Sequence, residues 1–310
     1  MTPSTRDQIK YRPATEGDYA AVVDFTEDTW TDLDVDASDY LPDVYHDWIQ
    51  GEKQRVLVAD AGDEIAGIAK LVMLSEYEAW AEGMRVNPAF RGQRIGTGIT
   101  EALFEWGRKQ GATVARNMVF SWNQAGLGQS RAIGFEPVTE FRWLHPEPDP
   151  AASTPDDGDP DAAFAFWSGS DAREQLAGLA LDMDNTWSLR DLTREMLARA
   201  AAETALLAVT DERGTTALSY RTRTFDDENE DGETITWAEY GVGAWADLEA
   251  AEALLGRIKA DAGSVGADRT RVLIPETTRF VSDGAYLRAN ISQEPDFVLA
   301  ADLTGFDTDG

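Results

Sequence analysis

The feature that most constrains the fold is the same order of predicted elements in the two halves of this 310-residue chain. Each half contains a β-hairpin pattern, a further strand, an amphipathic helix, another strand and a short helix that ends at a glycine. Gly96 precedes Gly134 by 38 residues, and Ala244 precedes Gly284 by 40 residues in the second half. The matching order and spacing predict an internal duplication, and the alternation of strands and helices predicts α/β (α+β) domains.

A stretch rich in Pro, Asp, Ala and Ser separates the two halves. It carries no apolar periodicity and predicts an acidic linker over residues 148–162. The predicted domains are therefore residues 8–147 and residues 163–306. At the start of the second domain, the segment from Phe164 onward is predicted to form a strand followed by a helix.

The charge of the chain is strongly one-sided, with 57 acidic against 27 basic residues and a formal net charge of −30. The acidic residues are spread among regular hydrophobic periods, which favours a halophilic protein with a surface suited to molar salt, where the Debye length is about 3 Å. An acidic tail or a solvating disordered segment is the alternative. Because this charge repels nucleic acid and anionic membranes, neither is predicted as a partner.

Several classes of protein are excluded by what the sequence lacks. It contains no cysteine, and its two histidines, His46 and His145, have no metal-ligand spacing, so no metal site is predicted. No apolar run approaches the roughly 18 residues of a membrane span, and the N-terminal residues do not resemble a signal peptide. We therefore expect a cytoplasmic protein.

The stretch "NPAFRGQRIGTGI", residues 87–99, joins a predicted strand to a predicted helix. The first turn of a helix has unpaired N–H groups and attracts anions, and glycines let the backbone approach a phosphate closely. Arg91 and Arg94 add positive charge. The alternative is a strand-to-helix turn whose glycines serve geometry alone. The stretch is neither a Walker loop nor a dinucleotide-binding fingerprint.

With the preceding valine, this stretch resembles the acyl-CoA-binding signature of the GCN5-related N-acetyltransferases (GNAT). Arg91 stands at the first position of that signature, Arg94 stands where its first glycine usually is, and Gly96 is its second glycine. Asn123 follows the next predicted strand, and "AIGFEP" supplies the Gly-Phe pair of the family. The resemblance covers about 140 residues of the first half.

The resemblance implies two tandem GNAT-like domains, each a mixed, mostly antiparallel sheet with flanking helices. It also implies acetyl-CoA as the acyl donor, with a pantetheine arm along the strand before the motif and a pyrophosphate on the amides of the loop. The residues implied to contact the cofactor are Met84, Val86, Arg91, Gly92, Gln93, Arg94, Ile95, Gly96, Thr97 and Asn123.

The implied reaction transfers an acetyl group to an amine, which needs a base and an acid. Two-residue alternation along the strand predicts that Glu82, Met84 and Val86 share one face, which makes Glu82 the candidate base. A solvated carboxylate at the strand edge is the alternative. Ser130 occupies the position of the family's tyrosine acid but is a poor acid, so water, another residue or an unassisted thiolate could replace it, or turnover could be slow. Ser130 as a helix cap or surface residue, and Asn123 as a loop or cap residue, are the structural alternatives.

Six aromatic residues fall in segments that line the acceptor pocket of this family. As a group they predict an aromatic-walled site, although each could individually be an ordinary core residue. They are Trp30, Tyr40, Tyr45, Trp48, Tyr77 and Trp80.

The second half lacks the motif at the matching position, where it reads "YGVGAWADLEAAEALL". Asp247 and Glu249 fall in the first helical turn, where carboxylates suit the helix dipole and repel a pyrophosphate. We predict a degenerate copy that covers the first half, shapes the acceptor pocket or supports a homodimer.

The sequence is consistent with three functions. The first is an N-acyltransferase that uses acetyl-CoA and an amine of unknown identity. The second is a non-catalytic acyl-CoA-binding or scaffold protein, and the third is an interaction module that binds no CoA. The sequence does not select the acceptor amine.

Overall fold

Helices and strands alternate along the chain in the computed structural model, which describes residues 9–26, 39–153, 158–228 and 232–305. The helices are α1 (Tyr19–Thr26), α2 (Leu41–Gln50), α3 (Ile95–Lys109), α4 (Gln124–Ala132), α5 (Pro160–Ser168), α6 (Asp171–Gln175), α7 (Arg194–Glu203), α8 (Leu248–Ser264) and α9 (Thr278–Tyr286). The first eight strands are β1 (Lys10–Pro13), β2 (Gln54–Asp60), β3 (Ile65–Met73), β4 (Glu78–Val86), β5 (Val114–Phe120), β6 (Glu136–His145), β7 (Leu179–Leu181) and β8 (Leu189–Asp191). The others are β9 (Ala205–Asp211), β10 (Gly214–Glu228), β11 (Thr234–Tyr240), β12 (Ala244–Trp245), β13 (Arg269–Pro275), β14 (Asn290–Ile291) and β15 (Asp296–Asp302).

The chain forms two compact units. The first comprises Met1–Asn117, Gln124–Glu136 and Leu299–Gly310, and the second comprises Met118–Asn123 and Pro137–Val298. This grouping differs from the domain boundaries at 147 and 163: it assigns nearly all of β6 to the second unit and the end of β15 to the first. The predicted division into residues 8–147, 148–162 and 163–306 stays a prediction, and its outer ends and part of its linker lie outside the described residues.

The first unit is built on a mixed, mostly antiparallel sheet. Strands β1 to β4 pair in sequence order as antiparallel neighbours, and β5 pairs with β4 in parallel. One face carries α1 and α2, whose buried side chains Val22, Leu41 and Tyr45 pack with Val58 and Ile68 of the sheet.

Helix α3 covers the other face of this sheet. Its buried residues Ile95, Ile99 and Leu103 recur every four positions, as expected for a helix with one apolar stripe. Each such side chain contributes about 1.5–3 kcal/mol when it is removed from water. The helix lies close to β3 because Gly67 has no side chain: a Cβ there would lie 3.2 Å from atoms of both Ile95 and Ile99.

The second unit repeats this arrangement. Its sheet contains antiparallel β9, β10 and β11, then β13 parallel to β11, and β6 antiparallel to β13. Helix α8 packs against β9 and β10. Both units are therefore mixed, mostly antiparallel sheets with flanking helices, and this prediction of the fold class is confirmed.

The predicted strand at Phe164 is wrong, because this segment lies in α5. The side chain of Asp159 accepts hydrogen bonds from the N–H groups of Asp161 and Ala162, and Pro160 follows at the first helical position. Both residues favour the start of a helix, and Ala163 and Trp167 are buried one turn apart. The helix begins inside the predicted linker, so the local start signal outweighs the acidic composition.

The second unit holds a buried carboxyl group at Asp296, where β15 begins. Its Oδ2 accepts a hydrogen bond of 3.1 Å from Trp143 Nε1. Burial raises the pKa of Asp296 to about 6, against the opposing effects of that hydrogen bond and the charge of Arg271. The folded unit therefore binds a proton at this site at a pH where the unfolded chain does not.

We predict that Asp296→Asn stabilises the protein at neutral pH. Since the pKa of Asp296 rises from 3.8 to about 6 on folding, the wild type loses stability as the pH rises between these values. A shift of about 2 units corresponds to about 3 kcal/mol. Urea unfolding should show the variant more stable than the wild type at pH 7.5 and nearly equal to it at pH 4.5. A difference that does not change with pH would contradict the assignment.

Candidate functional site

The sheet of the first unit opens between β4 and β5. The parallel pairing runs only from Glu78–Val114 to Trp80–Arg116, although both strands continue beyond these residues. Just past the last pair, Gly83 has a φ of +67° and the register against β3 shifts. Such a bulge bends a strand and increases its twist. The bulge therefore leads the second half of β4 away from β5.

The bulge also changes which side chains share a face. Lys70 pairs with Glu82, whereas Gly67, three residues earlier and on the opposite face of β3, pairs with Val86. Glu82 therefore lies on the face covered by α2, and Val86 lies on the face covered by α3. The prediction that Glu82, Met84 and Val86 share one face is wrong, because two-residue alternation does not continue through a bulge.

Helix α3 begins beside this opening without a side-chain cap. Its N-cap residue is Arg94, whose side chain makes no capping hydrogen bond. The N–H groups of Ile95, Gly96 and Thr97 have no hydrogen-bond acceptor in the described part of the chain, and the first bonded N–H is that of Gly98. Three donors at the positive end of a 15-residue helix are thus left for another partner.

Two exposed cations stand next to these donors. Arg91 and Arg94 form no ion pair within the described residues, although the chain carries 57 acidic residues. Gly92 and Gln93 between them are also exposed. Arg94 has a φ of +61°, the left-handed conformation that glycine adopts at least cost. The backbone thus takes the glycine-like path that the motif predicts, with an arginine side chain added.

Helix α4 contributes a side chain that the sequence analysis missed. A Cβ built on Gly96 would lie 2.2 Å from Gln129 Nε2 and 3.7 Å from Met84 Sδ. Gln129 Nε2 is buried and has no hydrogen-bond acceptor in the described residues. The absence of a side chain at Gly96 therefore brings an unsatisfied donor to the start of α3. The only sequence signal for Gln129 is its place directly before Ser130.

A pocket of about 280 Å³ continues along α3 from this point. It is lined by Thr97, Thr100, Glu101 and Phe104 of α3 and by the segment 132–134 after α4.

Gly98 has a different structural role from Gly96. A Cβ at Gly98 would lie 2.0 Å from the hydroxyl oxygen of Tyr11 in β1. This glycine allows β1 to pack against α3. For Gly98, therefore, the alternative interpretation applies, in which a glycine of this turn serves geometry alone.

The candidate base Glu82 is held in an ion pair. Lys70 Nζ lies 2.7 Å from Glu82 Oε1, and the two side chains are 4% and 16% exposed. The same ammonium group lies 4.6 Å from the centroid of the Trp48 ring. Glu82 is therefore not the solvated edge carboxylate that the sequence left as an alternative.

A second ion pair lies on the same face of β4. Arg85 Nε is 2.6 Å from Asp39 Oδ2, and Asp39 Oδ1 accepts a hydrogen bond from the N–H of Leu41 at the start of α2. Burial is the largest single effect on Arg85 and opposes its charge, but the hydrogen bonds and charges of Asp39 and Tyr40 together outweigh it and raise the pKa of Arg85. The Arg85 guanidinium also lies 5.3 Å from the Tyr40 ring centroid.

The predicted aromatic group divides into core and site residues. Tyr45 and Trp80 are at most 1% exposed and belong to the core. Trp48 and Tyr40 contact the two ion pairs, and Tyr77 is exposed. Trp30 lies outside the described residues.

Ser130 is buried in α4. Asn117 Nδ2 of β5 donates a 2.9 Å hydrogen bond to Ser130 Oγ, and Asn117 Oδ1 is buried without a partner in the described residues. Asn123 is half-buried between β5 and α4 and is grouped with the second unit.

The matching region of the second unit is closed. Strands β11 and β13 remain paired up to Tyr240–Val272, and the Gly243 N–H then donates to the Leu273 carbonyl at 2.7 Å. The start of α8 is capped by Asp247, whose side chain accepts from the Ala250 N–H at 3.0 Å. Both the strand opening and the free helix terminus of the first unit are therefore missing here.

The first half of the chain is similar to a known family. Residues 22–135 match the acetyltransferase (GNAT) family. The match includes the bulged strand, the Arg91–Thr97 loop and α4. No curated protein matches the sequence.

Solved structures extend the likeness of fold to nearly the whole chain. A GCN5-related N-acetyltransferase from Sphaerobacter thermophilus aligns over 98% of this chain and 97% of its own, with a TM-score of 0.56 and 16% identity. A presumed acetyltransferase from Thermoplasma acidophilum aligns over 95% of this chain and all of its own, with a TM-score of 0.57 and 14% identity. At these identities the likeness is one of fold, and the chain has the architecture of two tandem GNAT-like domains.

None of the helices in the described residues is long and apolar enough to cross a membrane. No group of three or more His, Asp and Glu side chains of these described residues is placed to hold a metal ion.

We predict that the left-handed conformation of Arg94 carries a measurable strain. Arg94→Gly and Arg91→Gly remove the same side chain at positions with φ of +61° and −58°. The added flexibility of glycine destabilises both variants similarly, but only Arg94→Gly relieves strain, of about 1–2 kcal/mol. Urea unfolding should therefore find Arg94→Gly more stable than Arg91→Gly by this amount. Equal stabilities would show that the loop does not impose the conformation.

Proposed function

We propose that the first unit is an N-acetyltransferase that uses acetyl-CoA and acts on an amine. One observation carries the proposal: a gap between two parallel strands lies beside an uncapped helix terminus and two unpaired arginines. The family match to residues 22–135 supports the same reaction class.

The residues at the start of α3 fit an anionic cofactor. The N–H groups of Ile95, Gly96 and Thr97 would hold the pyrophosphate, with Gln93 and Gly92 shaping the loop. Arg91 and Arg94 would add charge at its exposed side. The unsatisfied Gln129 amide would gain an acceptor there. A group bound in this place would therefore satisfy donors that the protein leaves open.

The opening between β4 and β5 fits the pantetheine arm. Backbone groups of Met84 and Val86 stand on the part of β4 that has lost its β5 neighbour. Buried backbone donors and acceptors need partners, and an extended arm with amide groups can supply them. The contact between Asn123 and the cofactor stays a prediction from the sequence.

Acetyl-CoA supplies the acetyl group as a thioester. Glu82 would take the proton of the attacking amine, the amine nitrogen would form the new bond to the carbonyl carbon, and the C–S bond would break with its electron pair on sulfur. The acid for that sulfur is the open part of the proposal. Ser130 is the candidate by position, but a serine hydroxyl is a poor acid, which favours a proton from water or an unassisted thiolate.

The poor acidity of a serine hydroxyl at position 130 also supports a second function. A non-catalytic acyl-CoA-binding protein would bind acetyl-CoA in the same place without turnover. Release of free CoA thiol in the presence of a panel of small amines and peptide N-termini separates the two functions.

The second unit is proposed to bind no acyl-CoA, because its strands stay paired and Asp247 occupies the start of α8. A salt-adapted cytoplasm as the setting, and a homodimer as the assembly, stay predictions.

We predict that Gly96→Asp abolishes acetyl-CoA binding. The substitution adds a negative charge to the proposed pyrophosphate site and forces Gln129 aside. Like-charge contact costs several kcal/mol, so the affinity should fall by about 100-fold or more in a calorimetric titration.

Gly256→Asp is the matched control. Gly256 is an exposed helical position in α8 with no atom within 4 Å of a built Cβ, so this variant should bind like the wild type. Gly96→Ala should bind with intermediate affinity, because it displaces Gln129 without adding charge. Near-normal binding by a folded Gly96→Asp would refute the site.

A further inference from the structure

Lys70 is a buried cation on an otherwise apolar strand. All residues of β3 from Ile65 to Val72 are buried, and Lys70 is the only charged residue among them. Its ammonium group lies between the carboxylate of Glu82 and the face of Trp48. Among the described residues, Lys70 therefore has one anionic partner and one aromatic partner.

Stability does not explain this pair. The desolvation of two charges offsets most of their attraction, and a pair of apolar side chains of similar volume is often as stable or more so. The residues on either side of Lys70 in β3 are apolar, so a pair of apolar residues at positions 70 and 82 would suit this part of the sheet. The ion pair therefore indicates that the positive charge of Lys70 has a functional role.

The ion pair fixes Glu82 at the place where the sheet opens. Glu82 follows the last β4–β5 pair by two residues and directly precedes the Gly83 bulge. Its Oε1 is bound to Lys70, whereas its Oε2 has no hydrogen-bond partner in the described residues. One carboxylate oxygen is held by Lys70, and the other is left without a hydrogen-bond partner in the described residues.

We propose that Lys70 is a positioning residue for the reaction: it holds the Glu82 carboxylate so that its free oxygen can reach the amine. This inference rests on the proposed role of Glu82 as the base. Trp48 has a supporting part, since its ring limits where the ammonium group can lie. Lys70 itself transfers no proton and touches neither substrate.

The test is a double-mutant cycle on turnover. Lys70→Met removes the charge at similar length, Lys70→Arg retains it, and Glu82→Gln removes the base. Rates of CoA thiol release are measured at saturating acetyl-CoA with an amine that the wild type acetylates. Acetyl-CoA affinity is measured in parallel, and Lys70→Gln replaces Lys70→Met if the latter does not fold. Lys53→Met is the matched control, because Lys53 is an exposed lysine of the same unit.

The proposal expects Lys70→Met to lower kcat by about 10- to 100-fold, which is part of the effect of a general base. The affinity for acetyl-CoA should stay unchanged, and Lys70→Arg should recover most of the rate. In the Glu82→Gln background, Lys70→Met should lower kcat by less than about 2-fold, because its effect acts through Glu82.

Three results would overturn the proposal, and they differ in what else they reject. If Glu82→Gln lowers kcat and Lys70→Met does not, only the role of Lys70 is lost. The same holds if Lys70→Met lowers kcat equally with and without Glu82, since its effect would then be structural. If Glu82→Gln leaves kcat unchanged, or the wild type acetylates no amine, the proposed base or the proposed reaction is rejected together with Lys70.

Discussion

The parting of β4 from β5 is the constraint on which the rest of the first unit depends. A sheet is held together by the pairing of backbone groups, so strands that separate inside a sheet leave donors and acceptors without partners. The Gly83 bulge produces the separation, and its left-handed backbone leaves room for the Trp48 ring, which a Cβ would meet at 2.4 Å. Helix α3 then begins at the edge of the gap with its own N–H groups unbonded. Within the described residues, two sets of backbone groups without protein partners therefore lie in one place, where the proposed cofactor would bind.

The two units have the same arrangement of strands and helices, but the strands separate before the following helix only in the first unit. In the second unit the hydrogen bond from Gly243 to Leu273 continues the strand pairing, and Asp247 satisfies the start of α8. Each of these contacts is local, and each replaces something that a bound anion or an extended arm would supply. The difference lies in a few residues at the strand end and the first helical turn, while the sheet order and the flanking helices are retained.

Much of this arrangement could be predicted from the sequence, because local signals agreed with the fold. The hairpins, the motif helix and its end near Gly111 follow from periodicity and glycine placement. The strand predicted at Phe164 failed because apolar residues in a short run suit either element, and the Asp159–Pro160 start signal was not weighed. The prediction that Glu82 and Met84 share one face was wrong for another reason. A bulge depends on tertiary contacts, here the packing of Trp48 on Gly83. The contacts of Gln129 and Lys70 join residues far apart in sequence, which no local pattern reports.

The central claim is that one unit is open to the cofactor and the other is not. Calorimetric titration of acetyl-CoA into the wild-type protein, in molar potassium chloride to screen the charge of −30, tests it most directly. The account predicts one site per chain. Two sites would contradict the closure of the second unit, and no binding would contradict the assignment of the first.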